Sequence, residues 1–262
     1  MAAAARAELE VVDVTRAFYG VHALNGVSFS APARGVTGLI GPNGAGKTTL
    51  FNCISGVIPP EGGKIVVNGE NIAGLRPDQI SRRGLVRSFQ IARGLPNLSV
   101  LDNLMIYGQR QPGEGVFAAL RRSPAALARE EELLEAAVAI ARRLNLTRVI
   151  RQPAAALSGG QKKLLEIGRV LMAQPRMILL DEPAAGVNPT LTREIADHLR
   201  ALADEGLPIL LIEHHMDMIA RLCDPVVVMA EGRLLTQGAF ADLADDPVVQ
   251  EAYMGRRWRA AG

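Results

Sequence analysis

The segment Gly41-Pro42-Asn43-Gly44-Ala45-Gly46-Lys47-Thr48 has the spacing G-x-x-x-x-G-K-[ST], with residue types able to enclose the phosphates of a nucleoside triphosphate. Glycines let backbone N–H groups turn inward around anionic oxygens, and a helix starting there adds the positive end of its dipole. Lys47 can neutralise the β- and γ-phosphates, and the Thr48 hydroxyl can ligate Mg²⁺. The flanks suit this reading: the apolar run Val36 to Ile40 precedes the loop, and Thr49, Leu50, Phe51 and Ile54 follow in a pattern that suits a helix. A dinucleotide fold competes, because Gly44-Ala45-Gly46 begins G-x-G. It fails at Thr49, where a third glycine belongs, and at Lys47, which would crowd a pyrophosphate laid over bare backbone.

Two further segments carry chemistry. Ile178-Leu179-Leu180-Asp181-Glu182 is an apolar strand ending in two acids, at the edge where an α/β sheet places its ligands. Asp181 suits the metal, through water, and Glu182, turned the other way by strand alternation, suits orienting or deprotonating an attacking water. Alone, these acids also admit the lesser reading of a solvated strand end; beside a phosphate loop that reading loses force. In Leu157-Ser158-Gly159-Gly160-Gln161, Ser158 and Gln161 fit a capping box that opens a helix. A cap does not account for two glycines in a first turn, each costing up to ~1 kcal/mol relative to alanine. Bare N–H groups at a helix start account for them as a second anion site.

These segments need a sheet to bring them together. Leu9 to Val14, Gly35 to Ile40, Lys64 to Val67, Met177 to Leu180, Pro208 to Ile212 and Val226 to Met229 read as strands. The runs before Asp181 and before His214 are almost wholly apolar, as in parallel strands covered on both faces by helices. Between Arg87 and Ala156 the strand signal disappears. Glu130 to Leu144 instead has helical spacing, with Leu133, Leu134, Ala137, Ile140, Ala141 and Leu144 on one stripe, and Gln109 to Gly115 reads as a loop. The organisation predicted is an α/β core interrupted by a helical block.

Composition excludes several classes. Apolar residues make up 48% of the 262 and charged ones 21%, an ordinary globular balance. With 29 Lys and Arg against 27 Asp and Glu the net charge is +2, and only 4% of residues are aromatic, so no nucleic-acid partner is expected. Met177 to Leu180 and Ile209 to Ile212 stop at Asp181 and Glu213, far short of the ~18 residues of a membrane span. Met1 to Ala7 lacks the apolar stretch of a secretory signal, so any membrane role is expected to come through a partner. The two cysteines, Cys53 and Cys223, cannot build a disulfide framework and suit a reducing compartment, as small core fillers. Arg256, Arg257 and Arg259 around Trp258 form a basic tail that suits a solvated terminus.

The phosphate loop, the strand ending in Asp181-Glu182 and the Ser158–Gln161 segment together resemble the ABC ATPases, whose signature the last matches in full. The resemblance implies an α/β fold: a P-loop NTPase cassette with a mainly parallel core sheet, an antiparallel β subdomain and an inserted helical subdomain. It places the nucleotide-binding core at 1–86 and 166–262 and the helical signature subdomain at 87–165. It implies that Mg-ATP is sandwiched between two cassettes, each site closed by the other subunit's signature. Residues implied to contact nucleotide are Tyr19, stacking on adenine, Gly41, Pro42, Asn43, Gly44, Ala45, Gly46, Lys47, Thr48 and Thr49. Ser158, Gly159, Gly160 and Gln161 are implied to serve the partner's site. Gln90 matches the glutamine that senses Mg²⁺ and the γ-phosphate, and His214 the switch histidine. By themselves Tyr19 would read as a core tyrosine, Gln90 as an unremarkable polar residue and His214 as structural.

Two positions depart from the common pattern: Asn188 and His215 stand where many cassettes have aspartate. The forms Gly186-Val187-Asn188-Pro189, Ile212-Glu213-His214, Asp246-Pro247 and Glu251-Ala252-Tyr253-Met254-Gly255 resemble the ATPase subunits of branched-chain amino-acid uptake systems. That implies polytopic permease subunits, a second ATPase subunit of the same or another kind, and, indirectly, a periplasmic or extracellular substrate-binding protein. The expected place is the cytoplasmic face of the membrane, as a peripheral subunit. A cassette serving urea, a small organic acid or lipid and lipopolysaccharide export would look similar. A soluble ABC ATPase would carry coiled coils, metal-binding insertions or a second cassette, which this sequence lacks.

Overall fold

The computed structural model describes residues 9–88, 95–109 and 124–254. They fall into two compact units, one built from the chain up to Arg87 and again from Arg176, the other from Ser88–Pro175. The expected division between 165 and 166 falls inside an unbroken helix, Gly159–Met172, which belongs wholly to the second unit.

In chain order the strands are β1 (Leu9–Phe18), β2 (Val21–Ala31), β3 (Val36–Ile40), β4 (Gly62–Val67), β5 (Glu70–Asn71), β6 (Leu85–Arg87), β7 (Met177–Asp181), β8 (Ile209–Ile212), β9 (Val226–Ala230) and β10 (Arg233–Gly238). The first unit holds them all. An antiparallel sheet has the order β2-β1-β4-β5, and a six-stranded sheet the order β10-β9-β3-β8-β7-β6. The latter is parallel from β9 to β6, with β10 antiparallel at its edge. Every residue of β3, β7 and β8 is buried, which is why these strands read as almost wholly apolar runs.

The parallel register decides where the chemistry sits. Leu39 of β3 and Asp181 of β7 both pair with Ile212 of β8, so three adjacent strands end level with one another. The loops that leave them carry Gly41–Gly46, Glu182 and His214 to one edge of the sheet.

The strands absent from the sequence reading have identifiable disguises. In β2 the buried residues Leu24, Val27, Phe29 and Ala31 lose their alternation at a bulge, with Gly26 at φ +76° and register shifts opposite in β1. β6 is only three residues long, and β10 is a partly polar edge strand.

The second unit packs α3 (Val100–Met105), α4 (Pro124–Arg143) and α5 (Gly159–Met172); α1 (Lys47–Ile54) and α2 (Pro77–Arg82) precede it in the first. Leu133, Ala137 and Ala141 of α4 are buried, as is Leu144 just beyond it. Leu134 is not: it is 40% exposed, on the rim rather than the stripe. Gly168 lets α3 approach α5, since a Cβ there would stand 2.8 Å from Leu104. Residues 110–123, which include most of the loop expected at Gln109 to Gly115, lie outside the described residues, as does the basic tail.

Buried Asn103 ties this unit together. Its amide nitrogen donates to the carbonyls of Leu95, Leu98 and Ser99 at 3.0, 3.1 and 2.9 Å, and its oxygen accepts from buried Arg169 at 2.6 Å. Asn103→Ala strands those groups away from water and is expected to cost about 2–3 kcal/mol, read as a lowered urea midpoint.

Candidate nucleotide site

The phosphate loop joins β3 to α1. Gly44 and Gly46 hold φ of +83° and +96°, and a Cβ on Gly46 would press to 2.5 Å from the Ala23 carbonyl of β2. Only glycine fits at 46. No side chain caps α1 and its first turn holds no acid, so nothing there competes with an anion for its leading N–H groups. Lys47 is buried and donates to the carbonyl oxygens of Gly41 and Pro42 at 2.7 and 3.0 Å. Burial holds its ammonium below the usual lysine value, opposed by the carboxylates of Glu182 and Asp181. Thr48 is exposed at the helix start and Thr49 half-buried.

The two acids at the end of β7 diverge, for a reason other than strand alternation. Asp181 is the last strand residue, and Glu182 turns left-handed at φ +50°, a conformation costing roughly 1–2 kcal/mol outside glycine. Buried Asp181 faces Arg87, whose guanidinium donates to its Oδ2 at 2.8 Å. The same guanidinium donates to Asn52 Oδ1 at 2.7 Å and Ser55 Oγ at 3.1 Å of the α1 region, and lies over the Phe51 ring. Arg87 thus joins β6, α1 and β7 around the acid expected to serve the metal. Sequence reasoning passed over it, since nothing in the local pattern marks a partner 94 residues away.

Glu182 instead meets His214, Oε1 to Nε2 at 2.9 Å. Beside them lies Glu213, buried, with both oxygens occupied. Oε1 accepts from the Ala184 N–H at 2.9 Å; Oε2 accepts from the N–H groups of His214 and His215 at 2.9 and 3.3 Å and contacts His215 Nδ1 at 3.0 Å. A charge closing an apolar strand was the signal available in the sequence. Asn188, where aspartate is common, caps the helix α6 (Pro189–Asp204) by accepting from Leu191 N–H at 2.9 Å.

Tyr19 is fully exposed in the turn between β1 and β2, at φ +50°, which excludes a core role. In the second unit, Ser158 and Gln161 form the reciprocal capping box: Ser158 Oγ accepts from Gln161 N–H at 3.3 Å, and Gln161 Oε1 from Ser158 N–H at 3.0 Å. Gly159 has open space where a side chain would stand, and Gly160 is buried. The cap therefore coexists with open space at Gly159. Gln90 lies outside the described residues.

Neither cysteine belongs to this chemistry. Burial pushes the Cys53 thiol up to about 11 and the Cys223 thiol up to about 12, so both stay protonated at neutral pH. Ellman's reagent at pH 8 is expected to leave the folded chain untouched and to titrate both thiols once it is unfolded.

A sequence profile described as ABC transporter matches residues 24–185, more than half of the chain. The chain belongs to the ABC transporter family. This ABC cassette is 39% identical over 248 residues to the high-affinity branched-chain amino acid transport ATP-binding protein BraF of Pseudomonas aeruginosa, covering 94% of the chain and 97% of that protein. Over 248 residues it is 36% identical to the LivG protein of the same description from Escherichia coli, with the same two coverages. Among solved structures, a nucleotide-free ATP-binding cassette of an ABC transporter superposes with a TM-score of 0.83 at 36% identity, covering 95% of the chain and 100% of that structure. A cassette in its ADP conformation gives the same score and identity over 95% and 99%. The fold is the P-loop NTPase cassette of the ABC ATPases. Its enzymatic activity is ATP hydrolysis.

Proposed function

We propose that this ATPase energises an importer whose cargo is branched-chain or other hydrophobic amino acids. The observation that carries the reading is the full-length similarity to BraF and LivG, which are described as branched-chain amino acid transport ATP-binding proteins. No helix among the described residues is long and apolar enough to cross a membrane, so in this reading polytopic permease subunits carry the cargo path. The chain sits against them from the cytoplasmic side, paired with a second ATPase subunit, and a substrate-binding protein delivers cargo on the other face.

In this reading the Gly41–Thr49 backbone and Lys47 hold the phosphates, and Tyr19 offers an exposed ring for adenine. The donor set suits a hard divalent cation: a hydroxyl on Thr48 and a buried carboxylate on Asp181, pre-oriented by Arg87. Mg²⁺ bound there would neutralise charge on the β- and γ-phosphate oxygens. Glu182 orients the water that attacks the γ-phosphorus and takes up its proton as the bond to the β-phosphate oxygen breaks. His214, hydrogen-bonded to Glu182, reaches toward the γ-phosphate. Ser158–Gln161 close the partner's site, with the open space at Gly159 facing phosphate. Gln90 and the region Leu98 to Leu104 pass closure to the permease.

Disrupting the gene in its host and measuring uptake of radiolabelled leucine tests this. Uptake should fall and return with the unaltered gene but not with a Glu182→Gln copy, and the tagged chain should co-purify with polytopic membrane proteins. Unchanged uptake of all hydrophobic amino acids would overturn the cargo; recovery with ribosomes or DNA alone would overturn the transport role.

A further inference from the structure

We propose that Glu213 is a positioning residue for hydrolysis: its buried carboxylate sets the separation between the loop that carries Glu182 and the loop that carries His214. The inference rests on the reading of Glu182 and His214 as the hydrolytic pair.

The parallel ladder between β7 and β8 runs to the pair Asp181 and Ile212, and the Glu182 N–H donating to the Ile212 carbonyl at 2.9 Å is its last rung. Beyond that rung the two segments part, yet their side chains must meet again for Glu182 and His214 to stand 2.9 Å apart. Glu213 replaces the missing rung. One oxygen accepts from Ala184, two residues past Glu182, and the other from the N–H groups of His214 and His215. Both oxygens belong to one rigid planar group, so the spacing of the loops is set by a carboxylate rather than by flexible backbone.

A carboxylate is the group this position calls for. Three main-chain N–H groups converge on it, and an ionised carboxylate accepts only, with room for about four hydrogen bonds. Burying the charge is costly unless such donors surround it. Here those donors and the Nδ1 contact of His215 do so, at an exposure of 1% for Glu213. Glutamine at 213 would turn an NH₂ donor toward at least one of those N–H groups. Aspartate would keep the charge but, one methylene shorter, could serve one loop or the other and not both. Glu213 touches neither phosphate nor water in this scheme; it acts through the pair.

The test uses the full chain with Mg-ATP and compares Glu213→Gln and Glu213→Asp with Glu182→Gln. Steady-state hydrolysis, binding of a fluorescent ATP analogue, thermal unfolding and the ¹⁵N signal of the His214 imidazole are measured for each. Displacement of a reacting group by about 1 Å can cost on the order of 10²-fold, so kcat of Glu213→Gln should fall by roughly that factor. KM and analogue affinity should hold, because the phosphate loop is untouched, and the His214 signal should move. Glu213→Asp, which keeps the charge but reaches only one loop, should also lose kcat at unchanged analogue affinity, and it decides the matter if the glutamine variant does not fold. Unchanged kcat in a folded Glu213→Gln beside an inactive Glu182→Gln would overturn the inference and leave the reading of the pair intact. Parallel loss of kcat, nucleotide affinity and unfolding midpoint in both variants would make Glu213 merely structural and overturn it too. Normal hydrolysis by Glu182→Gln would bring down the reading of the pair, and this inference with it.

Discussion

Glu182→Gln should bind ATP with undiminished affinity and hydrolyse it orders of magnitude more slowly. The substitution keeps the volume and the hydrogen-bonding reach of the side chain, so the left-handed turn at residue 182 and the contact with His214 can persist. What disappears is the capacity to accept a proton. General-base assistance is worth about 10²–10⁴-fold, and single-turnover hydrolysis should slow by that factor or more. Binding is expected to hold because, in the proposed reading, the phosphates contact the loop after β3 and Lys47 at the start of α1, apart from Glu182. Near-normal single-turnover rates would remove Glu182 from the role of base. The same variant, locked with ATP bound, should accumulate as a nucleotide-dependent dimer on size-exclusion chromatography.

Lys47→Ala should fail at the earlier step. A hydrogen bond to a charged group contributes about 1.5–3 kcal/mol, which corresponds to roughly 10- to 100-fold in affinity for ATP. Fluorescent-nucleotide titration should show that loss, with hydrolysis falling in proportion. Folding should survive. The ligand-free ammonium is desolvated by burial, and the substitution removes that cost together with the two contacts to Gly41 and Pro42 carbonyls, so the thermal midpoint should change little. A cooperative unfolding transition alongside absent binding separates this outcome from collapse of the loop. Burial also sets the sign of the pH effect. Because the Lys47 ammonium titrates below the ordinary lysine value, phosphate affinity of the unaltered chain should weaken as pH rises into the alkaline range, and Lys47→Ala should lack that dependence.

Local chemistry made much of the fold and site legible. A phosphate loop needs glycines at fixed offsets because only they allow the turn, and a doubly covered parallel strand must be apolar throughout; both leave marks within a few residues. The bulged β2, the three-residue β6 and the edge strand β10 left no such mark, because each is stabilised by its neighbours rather than by its own pattern. The capping box at Ser158 was readable because its partners lie three residues apart.

Other roles depend on distances that spacing along the chain cannot carry. The sequence by itself determined which groups could hold phosphate and activate water, Lys47, Thr48, Asp181 and Glu182, while His214 entered only through the family resemblance. Tertiary structure alone decided their arrangement. Arg87 found Asp181 across 94 residues, and Glu182 found His214 across 32. Glu182 diverged from Asp181 by a left-handed turn rather than by alternation, and Glu213 became the buried link between two loops. The physical reason is the register of β3, β7 and β8. Parallel pairing brings three distant strand ends level, and only there does a carboxylate's two-sided hydrogen bonding join segments that the sequence keeps apart.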